Sequence, residues 1–239
     1  MTSTAVAGGV RLRAARLITE LLAPIVLIFV LLVLVAVHST GSVVRGLVLG
    51  LVAAFFAGGL PYAVLILGVR RGRLGDRHLS RRQERPALMA LGLGSVTCGY
   101  FVMRWLDAPG ELLALVAAMV AGVAVALVVS LFWKISVHTA CVAGSVCVVA
   151  ILVHPATLVL APLIVATAWA RVTLRDHTPA QVLVGALVGA AVASAVVTAA
   201  SSPSVHDRHS MDVLSTRKGI GHRDREGHDR STSNALICR

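Results

Sequence analysis

Apolar runs long enough to cross a bilayer follow one another through this chain from residue 18 to residue 200, divided by short polar stretches. A helix needs roughly 20 apolar residues to span a hydrocarbon layer of about 30 Å. In lipid no water is at hand for a backbone N–H or C=O, so each must be satisfied within the segment, and the helix does this. The runs are 18–38, 45–69, 87–106, 111–133, 139–154, 156–170 and 179–200. Seven spans result, with six as the alternative, because the fifth and sixth runs are short and only His154-Pro155 divides them. The expected fold is an all-α, multi-pass transmembrane helix bundle with six to seven spans.

Local punctuation agrees with these divisions. Pro86 and Pro179 fit the first turn of a helix, where the missing N–H is not needed, and Ala108-Pro109-Gly110 reads as a turn. A basic segment, 1–17, precedes the transmembrane region, 18–200; in 201–239 Ser, Asp, Arg and His replace the apolar run, and a disordered polar tail is expected. The first run is as long as a true span and has no small-residue cleavage site, so it reads as a retained helix. Aromatic residues are only 4% of the chain, so the helices are expected to pack through small side chains. Gly46 with Gly50, and Gly185 with Gly189, have the spacing for it.

The net charge of +11 invites a nucleic-acid reading, but the basic residues lie between apolar runs and no recognition motif accompanies them. No nucleic-acid partner is expected; a membrane surface or a phosphate-bearing substrate suits the charge better. With seven crossings, the stretches 70–86, 134–138 and 171–178 share one face with the N-terminus. That face carries Arg11, Arg13, Arg16, Arg70, Arg71, Arg73, Arg77, Arg81, Arg82, Arg85, Lys134, Arg171 and Arg175, whereas the opposite loops offer Arg45 and Arg104. The positive-inside rule puts the basic face in the cytoplasm of a cell-membrane protein.

Ionisable groups at the lip of a span are costly unless paired or wetted, so they mark functional sites by default. Three polar stretches qualify: "GDRHLSRRQERPALM" (75–89), "WKISVHTA" (133–140) and "ARVTLRDHTPAQV" (170–182). Together they resemble the three signatures of the type 2 phosphatidic acid phosphatase superfamily of membrane lipid phosphatases. Arg85-Pro86 matches the end of the first signature, and His78 stands at its lysine position. Ser136 and His138 match the second, with Ile135 and Val137 in place of Pro and Gly. Arg171 and His177 match the third, where Ala170 replaces Ser and Gln181 replaces Asp; "HTPAQV" is similar to the dolichyl-diphosphatase-like branch.

The resemblance implies a phosphatidic acid phosphatase type 2-like fold over roughly residues 70–200 and a metal-independent lipid phosphatase without a cofactor. His177 is then the nucleophile that forms a phosphohistidine, and His138 the general acid and then base. Gln181 holds the His177 tautomer in place of the usual carboxylate. Arg85, Arg171, Ser136 and His78 bind the substrate phosphate, the arginines through planar forks of donors. The implied substrate is a polyprenyl phosphate or diphosphate, with phosphatidate next, its tail left in the membrane.

Blander roles are assigned elsewhere. Arg70, Arg71, Arg73, Arg81 and Arg82 read as a cytosolic basic loop that meets anionic headgroups, and Asp76 as a partner that orders one of these arginines. Cys98, Cys141, Cys147 and Cys238 have no metal-ligand spacing, and the tail histidines His206, His209, His222 and His228 lie in a segment without apolar periodicity. His38 and His154 fall on the opposite face and stay outside the site. Two other function classes compete: an impaired family member that binds phospholipid or a membrane partner without turnover, and a small transporter. The transporter needs polar residues deep in several spans, and the runs are almost free of them.

Overall fold

The computed structural model describes residues 2–71 and 84–201, and every regular element there is helical. The helices are α1 (Thr2–Leu21), α2 (Pro24–Thr40), α3 (Val43–Ala54), α4 (Leu60–Arg70), α5 (Glu84–Trp105), α6 (Gly110–Phe132), α7 (Val137–Leu152), α8 (Pro162–Thr173) and α9 (Pro179–Ser201). A π turn, Phe55–Gly59, joins α3 to α4, and a 3-10 turn, Pro155–Leu160, leads into α8. The tail beyond Ser201 and the residues 72–83 lie outside the described residues.

Five segments are long and apolar enough to cross a membrane: Val43–Gly68, Ala87–Trp105, Gly110–Phe132, Pro155–Thr173 and Pro179–Ala200. A sixth appears if the bent pair Gly9–Leu21 and Pro24–Thr40 counts as one span. Run 139–154 is the 16-residue α7, which at 1.5 Å per residue reaches about 24 Å and falls short of a full crossing. The chain is thus built as a multi-pass membrane protein. Its outward surface agrees: Trp105 is 82% exposed and Phe132 80%, positions that suit lipid rather than water.

The first run departs from the expected single helix 18–38. Helix α1 already contains most of the basic segment 1–17, and the chain bends by 40° before α2. Pro24 causes the break, since a proline drives the residue before it out of the helical region; Ala23 is extended at φ −62°, ψ 140°. Helix α1 then packs on α8, with Ala15 fully buried and the Arg11 guanidinium 5.9 Å from the Trp169 ring centroid.

The π turn has a similar local cause. The Leu60 N–H bonds back to the Phe55 carbonyl, and Pro61, next in line, has no N–H to offer the Phe56 carbonyl. Ser95 Oγ on α5 donates to that carbonyl from the neighbouring helix. Gly99, one turn further along α5, makes room for Phe56: a Cβ there would lie 2.6 Å from Phe56 Cβ.

Two glycine pairs set the tightest helix contacts. Gly46 and Gly50 bring α3 onto α2, where added Cβ atoms would lie 2.5 Å from Val37 Cα and 2.8 Å from Val33 Cα. Gly185 and Gly189 bring α9 onto α7, with an added Cβ on Gly185 2.6 Å from Thr139 Oγ1 and one on Gly189 2.6 Å from Ala140 Cα. Beside these seams the buried core gathers Leu32, Val35, Met103, Leu112, Leu115, Val148 and Val197. Helix α6 packs on both α5 and α9 and so connects the halves.

Polar contacts sort the loops into two ends of the bundle. At one end Arg45 Nη2 donates to the Asp107 carbonyl at 3.1 Å, tying the start of α3 to the α5–α6 turn. At the other, Lys134 Nζ donates to the Asp176 carbonyl at 2.6 Å and the Ser136 N–H to the Gln181 carbonyl at 3.3 Å.

The Ser95 bridge is testable. Ser95→Ala leaves the Phe56 carbonyl without its donor in an apolar interior, and is expected to cost about 1–2 kcal/mol of stability. Unfolding of the detergent-solubilised protein measures this; an unchanged midpoint would show that the carbonyl finds another donor.

Candidate functional site

The stretch 171–178 is built from two capping motifs in succession. Leu174 caps the end of helix α8, and Arg175 takes a left-handed conformation at φ 60°. The Arg175 N–H bonds to the Val172 carbonyl at 3.0 Å and the Asp176 N–H to the Arg171 carbonyl at 3.1 Å, which is the Schellman pattern of helix termination. The turn folds Asp176 back over the end of α8, where its Oδ2 lies 3.0 Å from Arg171 Nη1.

Helix α9 then begins with a capping box. Thr178 Oγ1 accepts from the Gln181 N–H at 3.4 Å, and Gln181 Oε1 accepts from the Thr178 N–H at 3.1 Å. The same Oε1 stands 3.2 Å from His177 Nδ1. An oxygen that already accepts from a backbone N–H is fixed as an acceptor, so His177 donates from Nδ1 and its Nε2 is left with the lone pair. The sequence spacing Thr-x-x-Gln carries this signal, and a reading concerned only with the histidine's acceptor passes over it.

The stretch 133–138 meets it from α7. Ser136 occupies the N-cap position of α7, yet its hydroxyl does not cap the helix. That hydroxyl is fully buried and finds no hydrogen-bond partner among the described residues. A serine at this position ordinarily uses its oxygen on the first turn, so this buried hydroxyl is left with an unused donor. His138, in the first turn of α7, lies within electrostatic reach of Arg171, His177 and Asp176.

Of the residues read from sequence, His177, Gln181, Arg171, Ser136 and His138 therefore come together at one end of the bundle. Arg85 lies in the first turn of α5, whose partner α6 runs antiparallel to it and ends at the same side as the site. His78 and Asp76 fall outside the described residues. Lys134 and Asp176 join the cluster without having been assigned to it, and their roles depend on the turn at Arg175.

The electrostatics favour an anion. Arg171, Lys134, Ser136 and two imidazoles face one carboxylate, and the starts of α7 and α9 add the positive ends of their dipoles. His177 lies between the spans, and burial, Arg171 and Lys134 push its ring down to about 4 against weaker opposition from Gln181 and Asp176. The ring is neutral at physiological pH.

Because the folded value lies below the ordinary 6.5, the unfolded chain takes up this proton first, and the contribution to stability falls as pH drops from 6.5 to about 4. Ring ¹H–¹⁵N spectra are expected to keep His177 neutral, protonated on Nδ1, down to about pH 4, and Arg171→Ala to raise the midpoint. A wild-type midpoint near 6.5 would contradict the cation-flanked environment. Comparison with protein-family models, with curated proteins and with solved structures finds no match for this chain.

Proposed function

We propose that this protein is a membrane lipid phosphatase that hydrolyses a phosphate or diphosphate headgroup through a phosphohistidine. The observation that carries the reading is the state of His177: neutral, fixed by Gln181 through Nδ1 so that Nε2 holds the lone pair, with the Arg171 charge close enough to act on the ring. The resemblance of the three polar stretches to the type 2 phosphatidic acid phosphatase superfamily supports it. So does the cluster's position at the ends of membrane-length helices, where a lipid headgroup arrives with its tail still in the bilayer.

In the proposed reaction Arg171, Arg85, His78 and the Ser136 hydroxyl bind phosphoryl oxygens, and transfer is chiefly a matter of holding and neutralising that charge. His177 Nε2 attacks phosphorus as the bond to the lipid oxygen breaks. Burial and the neighbouring Arg171 leave His138 neutral at rest. With the anionic headgroup bound beside it, the ring takes up a proton from solvent and gives it to the departing oxygen. It then takes one from the water that attacks the phosphohistidine and returns it to solvent as phosphate leaves. Inorganic phosphate leaves and His177 is restored. Gln181 keeps the tautomer without supplying charge. Polyprenyl phosphates and diphosphates are the favoured substrates, phosphatidate next, and the arginine-rich end is assigned to the cytoplasm.

Neutral Gln181 also motivates a second reading, a protein that binds lipid phosphate without turning it over. Phosphate release by the purified protein from polyprenyl phosphate, polyprenyl diphosphate and phosphatidate, with chelator present, separates the two. Release from at least one lipid is expected, with a loss of at least about a thousandfold in His177→Ala. Binding without release would sink the enzyme reading, and recovery in Gln181→Asp would locate the defect in the missing charge.

A further inference from the structure

Asp176 has no task in the chemistry proposed above, yet its carboxylate holds the guanidinium on which that chemistry depends. Oδ2 lies 3.0 Å from Arg171 Nη1, and the two side chains are unequally placed: Arg171 is 14% exposed and Asp176 44%. The cation is enclosed at the end of α8, while the anion sits on the open side of the pair. Carboxylate and phosphoryl oxygens are bound by the same guanidinium donors, so the two compete for Nη1.

The backbone at Asp176 is secured independently of its side chain. Its carbonyl accepts from Lys134 Nζ at 2.6 Å and its N–H is held by the Arg171 carbonyl at 3.1 Å. The carboxylate is therefore able to turn toward water while the turn, His177 and the start of α9 stay in register. Rotation of a half-exposed side chain takes picoseconds to nanoseconds and adds no slow step.

We propose that Asp176 is a resident occupant of the phosphate site, whose carboxylate closes Arg171 in the empty protein and is displaced by the incoming headgroup. This rests on the phosphatase reading. The device suits a site in a bilayer, where phosphodiester headgroups surround Arg171 at high concentration. A competitor on the same chain weakens every oxyanion by one common factor, so weak diester binding drops out while a strongly held monoester or diphosphate still enters. Released phosphate is expelled by the same return of the carboxylate.

The test uses the full-length protein in nanodiscs of uncharged lipid, with inorganic phosphate (as the dianion) and dimethyl phosphate as probes, their binding followed calorimetrically. Asp176→Asn is expected to tighten both by a similar factor, roughly two- to fivefold, the scale of a partly screened ion pair. Asp176→Glu is expected to restore weak binding, and Arg171→Ala to abolish it in every background. Asp176→Ser repeats the experiment should the asparagine variant lose its fold, with unfolding midpoints recorded for each.

Arginine-dependent phosphate binding that is indifferent to Asp176→Asn would overturn the competition alone. A gain much larger for the dianion than for dimethyl phosphate would overturn it too, since that is repulsion by a carboxylate that never leaves. Absence of phosphate binding in wild type and all Asp176 variants would remove the phosphatase reading and this proposal with it.

Discussion

The site exists because α9 lies against α7 at backbone distance. Lipid tails are as apolar as the helices, so no hydrophobic force drives two such helices together, and close packing of small residues must do it instead. Gly185 and Gly189 supply that approach, and any side chain on either would meet Ser136, Thr139 or Ala140. Gln181 lies one turn before Gly185, so the same seam brings its carbonyl onto the Ser136 N–H and its side chain, with the His177 imidazole, to the mouth of α7.

On that seam the polar groups are held by ordinary helix-end chemistry. A Schellman turn stops α8 and turns Asp176 back onto Arg171, a capping box starts α9 and fixes His177, and Lys134 ties the two stretches together. The cations are tolerated at the membrane's edge because each has an oxygen in reach: Arg171 the Asp176 carboxylate, Lys134 the Asp176 carbonyl. What results is an excess of donors over acceptors around one neutral imidazole.

Much of this was legible in the sequence, and the reasons are physical. The apolar runs, the proline starts and both glycine pairs depend on residues close together in the chain, and reading them needs no partner. Arg171, His177, Ser136 and His138 were legible as ionisable and hydroxyl groups at the ends of runs. The bend at Ala23 and the π turn at Phe55–Gly59 were hidden within long apolar windows, since hydropathy does not register a missing N–H; Pro24 and Pro61 were the available signals. Ser95 was illegible as a partner because its acceptor, Phe56, lies in another helix. Asp176 was hidden for a different reason: its contact follows from the left-handed backbone at Arg175, a conformation that sequence seldom announces outside glycine.

The pairing of α1 with α8, sealed by Arg11 on Trp169 and by the buried Ala15, bears on how the molecule is made. Helices emerge from the ribosome in order, so α1 is complete long before the surface it packs against has been synthesised. The α7–α9 seam closes later still, when Pro179–Ser201 has followed α8 out. Contacts so distant along the chain make assembly late, and a stalled or shortened chain holds most of the helices without the α7–α9 seam on which the polar cluster forms.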